Sequence, residues 1–191
     1  MTDDATPDNA DAPASPLWAK VGTVVIALLL VGLIALLATR DDDDSASAAS
    51  PLIGRFVPEL EATTLDGATF DIDATRGRWV LLNFFASWCI PCENEHPELV
   101  EFSERHSDGS AMVVSVVMGD TAENARAFFQ ARGGDWPVLV DAESAPARFV
   151  VLQVPESFLV SPAGVVVAKW NGEITADVVD AAIAELEALA Q

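Results

Sequence analysis

Hydrophobic and polar positions divide the chain into four stretches. Residues 1–16 are polar and acidic, built largely from Ala, Pro and Asp, and such a composition has too little apolar surface to fold; a disordered tail is expected. Val21 to Thr39, "VGTVVIALLLVGLIALLAT", is 19 residues without a charge. At about 1.5 Å per residue this crosses a bilayer core of roughly 30 Å. Lys20 and Arg40 bracket the run, Trp18 stands where an interfacial aromatic would, and there is no polar face of the kind a buried core helix shows. A transmembrane helix is expected over residues 17–39. Ala46-Ser47-Ala48 imitates a signal-peptide cleavage site, but the apolar run is long and four aspartates intervene, which favours an uncleaved signal-anchor. Residues 40–51, "RDDDDSASAASP", read as a charged, flexible linker.

From Leu52 to Gln191 the pattern is globular. "FVPELEATTLDGATFDID" alternates around Asp66-Gly67 and predicts a hairpin. "WVLLNFF" and "AMVVSVVM" are continuous apolar runs, expected as buried strands. A helix should start near Cys89 and run to about Arg105, with Pro97 kinking it. "TAENARAFFQARGG" predicts a helix capped by Thr121 and stopped at Gly133. A short strand "PVLVD", a hairpin turning at Pro162-Ala163-Gly164 and a terminal amphipathic helix capped by Thr175 complete the domain. Strands alternating with helices, then a hairpin and a helix, describe an α/β fold around a mixed sheet.

Charge narrows the function. The chain carries 30 acidic and 10 basic residues, net −20. Residues 1–50 hold 8 acidic and 2 basic, or −6, which leaves 22 and 8, or −14, for the rest. Both parts are acidic, and nucleic-acid binding, which needs clustered Lys and Arg, is excluded as an expectation. Two cysteines cannot frame a disulfide-rich scaffold. With Cys89, Cys92, His96 and His106 as the only Cys and His, and no usual ligand spacing among them, no metal site is expected.

The two cysteines lie in "FFASWCIPCENEHPEL", at the junction of a buried strand and a helix. A helix N-terminus offers free N–H groups and positive potential, which stabilise a thiolate. Cys89 is therefore the expected exposed nucleophile. Cys92, one turn in, is placed to resolve a mixed disulfide, and Pro91 fits an early helical position. Glu95 is three residues past Cys92 and shares its helical face. A partly buried carboxylate there could take and return Cys92's proton; on spacing alone it could equally be a solvated residue like Glu98. His96 reads as a surface residue.

"NFFASWCIPCENEHPEL" resembles the active site of the thioredoxin superfamily. More narrowly, it is similar to the membrane-anchored thiol–disulfide reductases of bacterial cytochrome c maturation, the CcmG/DsbE and ResA/TlpA group. Trp88 precedes Cys89, Asn83 stands where thioredoxin carries a buried aspartate, and Glu95 matches an acidic residue typical of the group. "VPESF" matches the loop of the family's cis-proline, here Pro155 after Val154, and Glu156 resembles a second acidic residue of the cytochrome-maturation members. Gln153 departs from the small residue frequent before that loop. The segment Met112 to Ala142 corresponds to the group's extra strand–helix unit.

The resemblance implies a thioredoxin fold over residues 52–191, with Trp88, Val154, Pro155 and Glu156 at the substrate-binding surface. It implies no cofactor beyond the redox-active cysteine pair. Expected partners are protein disulfides such as the haem-binding Cys-x-x-Cys-His of apocytochrome c, a membrane electron donor of the thiol–disulfide relay type, and the bilayer. By the same analogy the tail is cytoplasmic and the catalytic domain lies outside a bacterial cytoplasmic membrane. The Ile-Pro dipeptide and the carboxylates Glu93 and Glu95 disfavour a thiolate, which points to a protein-disulfide reductase. A disulfide-introducing oxidase is the alternative. A copper chaperone on the same fold would space its cysteines one residue wider and add a histidine. A thiol peroxidase would usually carry its reactive cysteine in a Pro/Thr-rich loop, and neither pattern occurs here.

Overall fold

The computed structural model describes residues 26, 28–32 and 48–189. The expected tail, most of the expected membrane helix and residues 40–47 of the expected linker lie outside the described residues. The chain divides into two units, Met1–Asp43 and Asp44–Gln191. In the first, residues 26 and 28–32 are helical. Among the described residues no helix is long and apolar enough to cross a membrane.

The second unit is built on the strand β3 (Trp79–Phe85), whose seven residues are all buried. A strand apolar on both faces belongs in the middle of a sheet covered on both sides, and β3 occupies the centre of a five-stranded sheet. On one side it pairs in parallel with β4 (Ala111–Val117), which pairs in parallel with β5 (Val138–Leu139). On the other it pairs antiparallel with β6 (Glu156–Val160), followed by the antiparallel β7 (Val166–Asn171). Strand alternation then sorts the core. Val80, Leu82 and Phe84 join Phe70, Ile72, Phe149 and Phe158 on one face. Trp79 and Leu81 join Leu99, Phe102, Trp170 and Val179 on the other.

The expected first hairpin is a separate two-stranded ribbon, β1 (Glu61–Thr63) and β2 (Thr69–Asp71), turning through Gly67 at φ +86°. The second hairpin, β6–β7, turns through Pro162-Ala163-Gly164. Gly164 is left-handed at φ +77°, and a Cβ there would run into the Arg76 guanidinium.

Helix α1 spans Ile90–Arg105 and is not broken at Pro97. Pro97 lies on the exposed side, so the missing N–H leaves a carbonyl where water can reach it. Helix α2 (Ala122–Arg132) is capped by Thr121, whose Oγ1 accepts from the Asn124 N–H at 3.2 Å, and it ends at Gly133. Helix α4 (Ala176–Leu189) receives a longer-range cap: Glu98 of α1 accepts from the Ala176 N–H at 3.0 Å. Two short elements were not expected, a 3-10 turn at Ile72–Thr75 and helix α3 at Ala145–Phe149. The last covers one sheet face with Phe149, which packs at 5.4 Å against Phe84.

Residues 48–57 form a strap along β7. The Ala48 N–H donates to the Lys169 carbonyl, the Gly54 N–H to Val166 and the Val57 N–H to Gly164, while Val166 donates back to Arg55. The strap pairs backbone groups that an edge strand would otherwise offer to another chain.

Candidate active site

Strand β3 delivers the site. Its last residues lead through Ala86-Ser87-Trp88 to Cys89, the N-cap of α1, in extended conformation at φ −84° and ψ 108°. Cys89 and Cys92 form a disulfide with Cα atoms 5.2 Å apart. The Cys89 sulfur accepts the Cys92 N–H at 3.2 Å, so the orphan donors of the helix start face the sulfur expected to carry negative charge. In this oxidised form Cys89 is not the exposed thiol expected, being only 4% exposed. It packs in a cluster with Phe85, Ala86, Phe128 and Val154. What is open to solvent is its flanks: Trp88 is 64% exposed and Ile90 71%.

Glu95 is 2% exposed and sits beneath the pair on the same helix face. The Asn83 side-chain amide donates to its Oε1 at 2.7 Å and the Ile174 N–H to its Oε2 at 3.3 Å. Asn83 also donates to Ser157 at 3.0 Å, so adjacent strands β3 and β6 hold one end of the carboxyl. Burial pushes the Glu95 pKa up to about 8, against the opposing effect of the two hydrogen bonds, and the nearby Glu173 charge raises it further.

His96 corrects an expectation, for it is buried. Its Nε2 donates to the Gly133 carbonyl at 2.9 Å, and its ring packs edge-on against Phe128 at 4.9 Å and Phe129 at 5.2 Å. Burial lowers its pKa, so it is a neutral core residue. The signal was present: Cys92, Glu95, His96 and Leu99 follow the spacing of one helical face, and all four are buried.

The second loop of the site precedes β6. The Val154–Pro155 peptide is cis, as expected, and Val154 packs against the cysteine cluster. Because β3 and β6 are antiparallel with Phe84 opposite Glu156, residues 150–155 lie at the sheet end that carries Trp88 and Cys89. Glu156 is a buried strand residue rather than an exposed loop residue. Its Oε1 accepts from the Leu152 and Gln153 N–H groups at 3.2 and 3.3 Å, and its Oε2 forms an ion pair with Lys169 of β7 at 2.7 Å.

Asp120 was missed. One carboxylate oxygen accepts both the N–H and the hydroxyl of Ser87, at 2.8 and 2.5 Å, while the other accepts from Thr121 and Asn124. Next to it, the Gly119 carbonyl accepts the Trp88 indole N–H at 3.1 Å. The turn after β4 thus grips the two residues before Cys89, from 31 to 33 positions away in sequence. No spacing rule reaches that far.

A family model for the AhpC/TSA family matches residues 53–169, more than half of the sequence. The chain belongs to the AhpC/TSA family. The thiol–disulfide oxidoreductase ResA of Bacillus thuringiensis (strain Al Hakam) is 28% identical over 153 residues, which cover 80% of this chain and 87% of ResA. The thiol:disulfide interchange protein CycY of Rhizobium leguminosarum bv. viciae is 35% identical over 104 residues, 53% of this chain and 54% of CycY. The crystal structure of a thioredoxin-family thiol:disulfide interchange protein from Chlorobium tepidum TLS aligns with a TM-score of 0.64 at 22% identity, over 73% of this chain and 98% of that one. The last likeness establishes the thioredoxin-like fold. The relatives bear out the anticipated ResA/TlpA/CcmG group.

In this AhpC/TSA member the arrangement has one evident chemical capacity. A sulfur at a helix N-terminus is paired with a second sulfur one turn inside, and a carboxyl able to hold or release a proton near neutral pH lies below them. Among the described residues no cluster of three or more His, Cys, Asp and Glu could hold a metal ion.

Proposed function

We propose that this thiol–disulfide oxidoreductase works as a reductase of protein disulfides on the outer side of a bacterial cytoplasmic membrane, to which residues 17–39 anchor it. The observation that carries the reading is the Cys89–Cys92 pair at the α1 N-terminus with Glu95 buried behind it.

In the reduced enzyme, the Cys89 thiolate attacks a substrate disulfide. One substrate sulfur leaves as a thiolate, and a mixed disulfide forms with Cys89. Cys92 then gives its proton to the Glu95 carboxylate and attacks the Cys89 sulfur. The second substrate thiol departs, and the pair of electrons lost by the dithiol now resides in two substrate thiols. Recharging runs in reverse: a donor thiolate attacks Cys89, Cys92 leaves and takes its proton back from Glu95, and a second donor thiol then displaces the Cys89 thiolate, leaving the donor as a disulfide. A carboxyl with a pKa near 8 suits both directions, because its affinity for the proton approaches that of a thiol.

Direction follows from thiolate stability. A strong oxidant stabilises its thiolate. Here Ile90 and Pro91, the two residues between the cysteines, offer no side-chain donor to stabilise a thiolate. A haem-binding Cys-x-x-Cys-His of an apocytochrome c, met as a disulfide, fits this reductase as substrate. The test is the reduction potential of the cysteine pair, measured against a thiol buffer. A value of about −270 mV or lower supports the reductase, and a value near about −120 mV makes the enzyme an oxidant.

A further inference from the structure

Leu152 is the most exposed large apolar side chain among the described residues, at 85%. It sits in the loop before Pro155, at the cysteine end of the sheet, and its own backbone N–H is held by Glu156. Glu156 is 3% exposed, and its charge is met by Lys169, itself buried on β7 with its ammonium 5.3 Å from the Phe158 ring centre. One carboxylate oxygen takes two consecutive loop N–H groups, while the other faces a cation. A group so occupied is badly placed to shuttle protons at the cysteines. It is well placed to fix a loop, since a charged acceptor binds N–H groups about twice as strongly as a neutral one.

We propose that Glu156 and Lys169 are a positioning pair that pins the backbone of Leu152 and Gln153, so that Leu152, with Trp88 and Ile90, presents an apolar contact to the segment flanking a substrate cystine. The inference rests on the reductase reading above and adds to it a substrate preference, for apolar residues beside the reacting sulfur, and a residue, Lys169, that the sequence did not suggest. The role of Glu156 is thereby separated from that of Glu95.

Two double variants of the full chain separate the clamp from mere charge burial. In Glu156→Gln/Lys169→Met the ion pair is gone, but an amide oxygen can still accept the two N–H groups. In Glu156→Leu/Lys169→Met the pair is replaced by apolar groups, which buried pairs commonly tolerate, and the acceptor is lost. The substrate is a synthetic peptide with leucines flanking its cystine, and the dithiol is recharged by dithiothreitol. The Leu/Met variant should raise KM about tenfold, the worth of the lost hydrogen bonds, with kcat kept within about twofold. The Gln/Met variant should stay near the wild-type KM. Both should retain the pH dependence of kcat set by Glu95. Equal KM values in the two variants would overturn the clamp, as would loss of that pH dependence in either, which would make Glu156 a proton carrier.

Should the double variants fail to fold, Leu152→Ser on the exposed loop decides. It should raise KM about fivefold for the leucine-flanked peptide and leave a serine-flanked one unaffected; equal effects on both peptides overturn the proposal. A wild-type enzyme that accepts electrons from dithiothreitol but does not reduce the peptide would refute the reductase reading instead. The same KM comparison then runs in the oxidising direction, with the dithiol form of the peptide.

Discussion

A carboxyl that keeps its proton up to about pH 8 ties the fold of this enzyme to its chemistry. Glu95 would titrate near 4.5 in an unfolded chain, and burial raises it in the folded one. Between those two values the folded state binds more protons than the unfolded state, so stability falls as pH rises through the window and levels off above the folded value. The full window, 8 − 4.5 units, corresponds to at most roughly 5 kcal/mol. Glu95→Gln should remove this slope, which urea denaturation at pH 5 and pH 8.5 reads directly. The same variant should slow reduction of a protein disulfide by about 10²-fold, the usual worth of a positioned acid–base group, and kcat should lose its rise towards pH 8. An unaltered pH profile in the Glu95→Gln enzyme would remove Glu95 from the proton path. His96, next in the chain, contributes nothing to that profile, because it is neutral and enclosed by aromatic rings.

Among the elements, the unit between β4 and β5 acts as a brace. The Gly119-Asp120 turn holds Ser87 and Trp88, and α2 supplies the Phe128 wall behind the cysteines. Asp120→Ala leaves the Ser87 N–H and hydroxyl without their acceptor and uncouples α2 from the reactive turn. A loss of about 2 kcal/mol in urea denaturation is expected, together with a several-fold fall in kcat/KM. Unchanged kcat/KM despite lost stability would make the brace purely architectural. This coupling also marks what the residue pattern could not show. The buried strands, both hairpins, the caps at Thr121 and Gly133 and the start of α1 were legible because each is written in contiguous residues with a local physical cause. Helix α3 was not, for "APARF" is too short to show a period and forms only because Phe149 has Phe84 and Phe158 to pack on. At the site, Cys89 and Cys92 were legible through their spacing at a strand-to-helix junction, and Glu95 through its match to the family pattern, since spacing alone left it open to being a solvated residue like Glu98. Lys169 and Asp120 were not, because each meets its partner only after the sheet has assembled.

At the scale of the whole molecule, charge and reactivity are set apart. Residues 51–191 hold 22 acidic and 8 basic residues, net −14, yet Trp88, Ile90 and Leu152, exposed at the cysteine end of the sheet, are apolar. An incoming polypeptide therefore meets an acidic field at long range and an apolar contact at short range. The field governs encounter and is screened over about 8 Å at physiological ionic strength. The contact governs how long the encounter lasts and is not screened by salt as the field is. Two cystine peptides with the same leucine-flanked core, one carrying distal lysines and the other distal glutamates, separate the two effects. For the lysine peptide, kcat/KM should fall about tenfold between low and high salt. For the glutamate peptide it should rise, and the two values should converge at high salt, where only the shared core is read. Parallel salt dependences would mean that the acidic surface serves solubility alone. Divergence at low salt with convergence at high salt would show that the net charge selects basic partners before the apolar rim and Cys89 engage them.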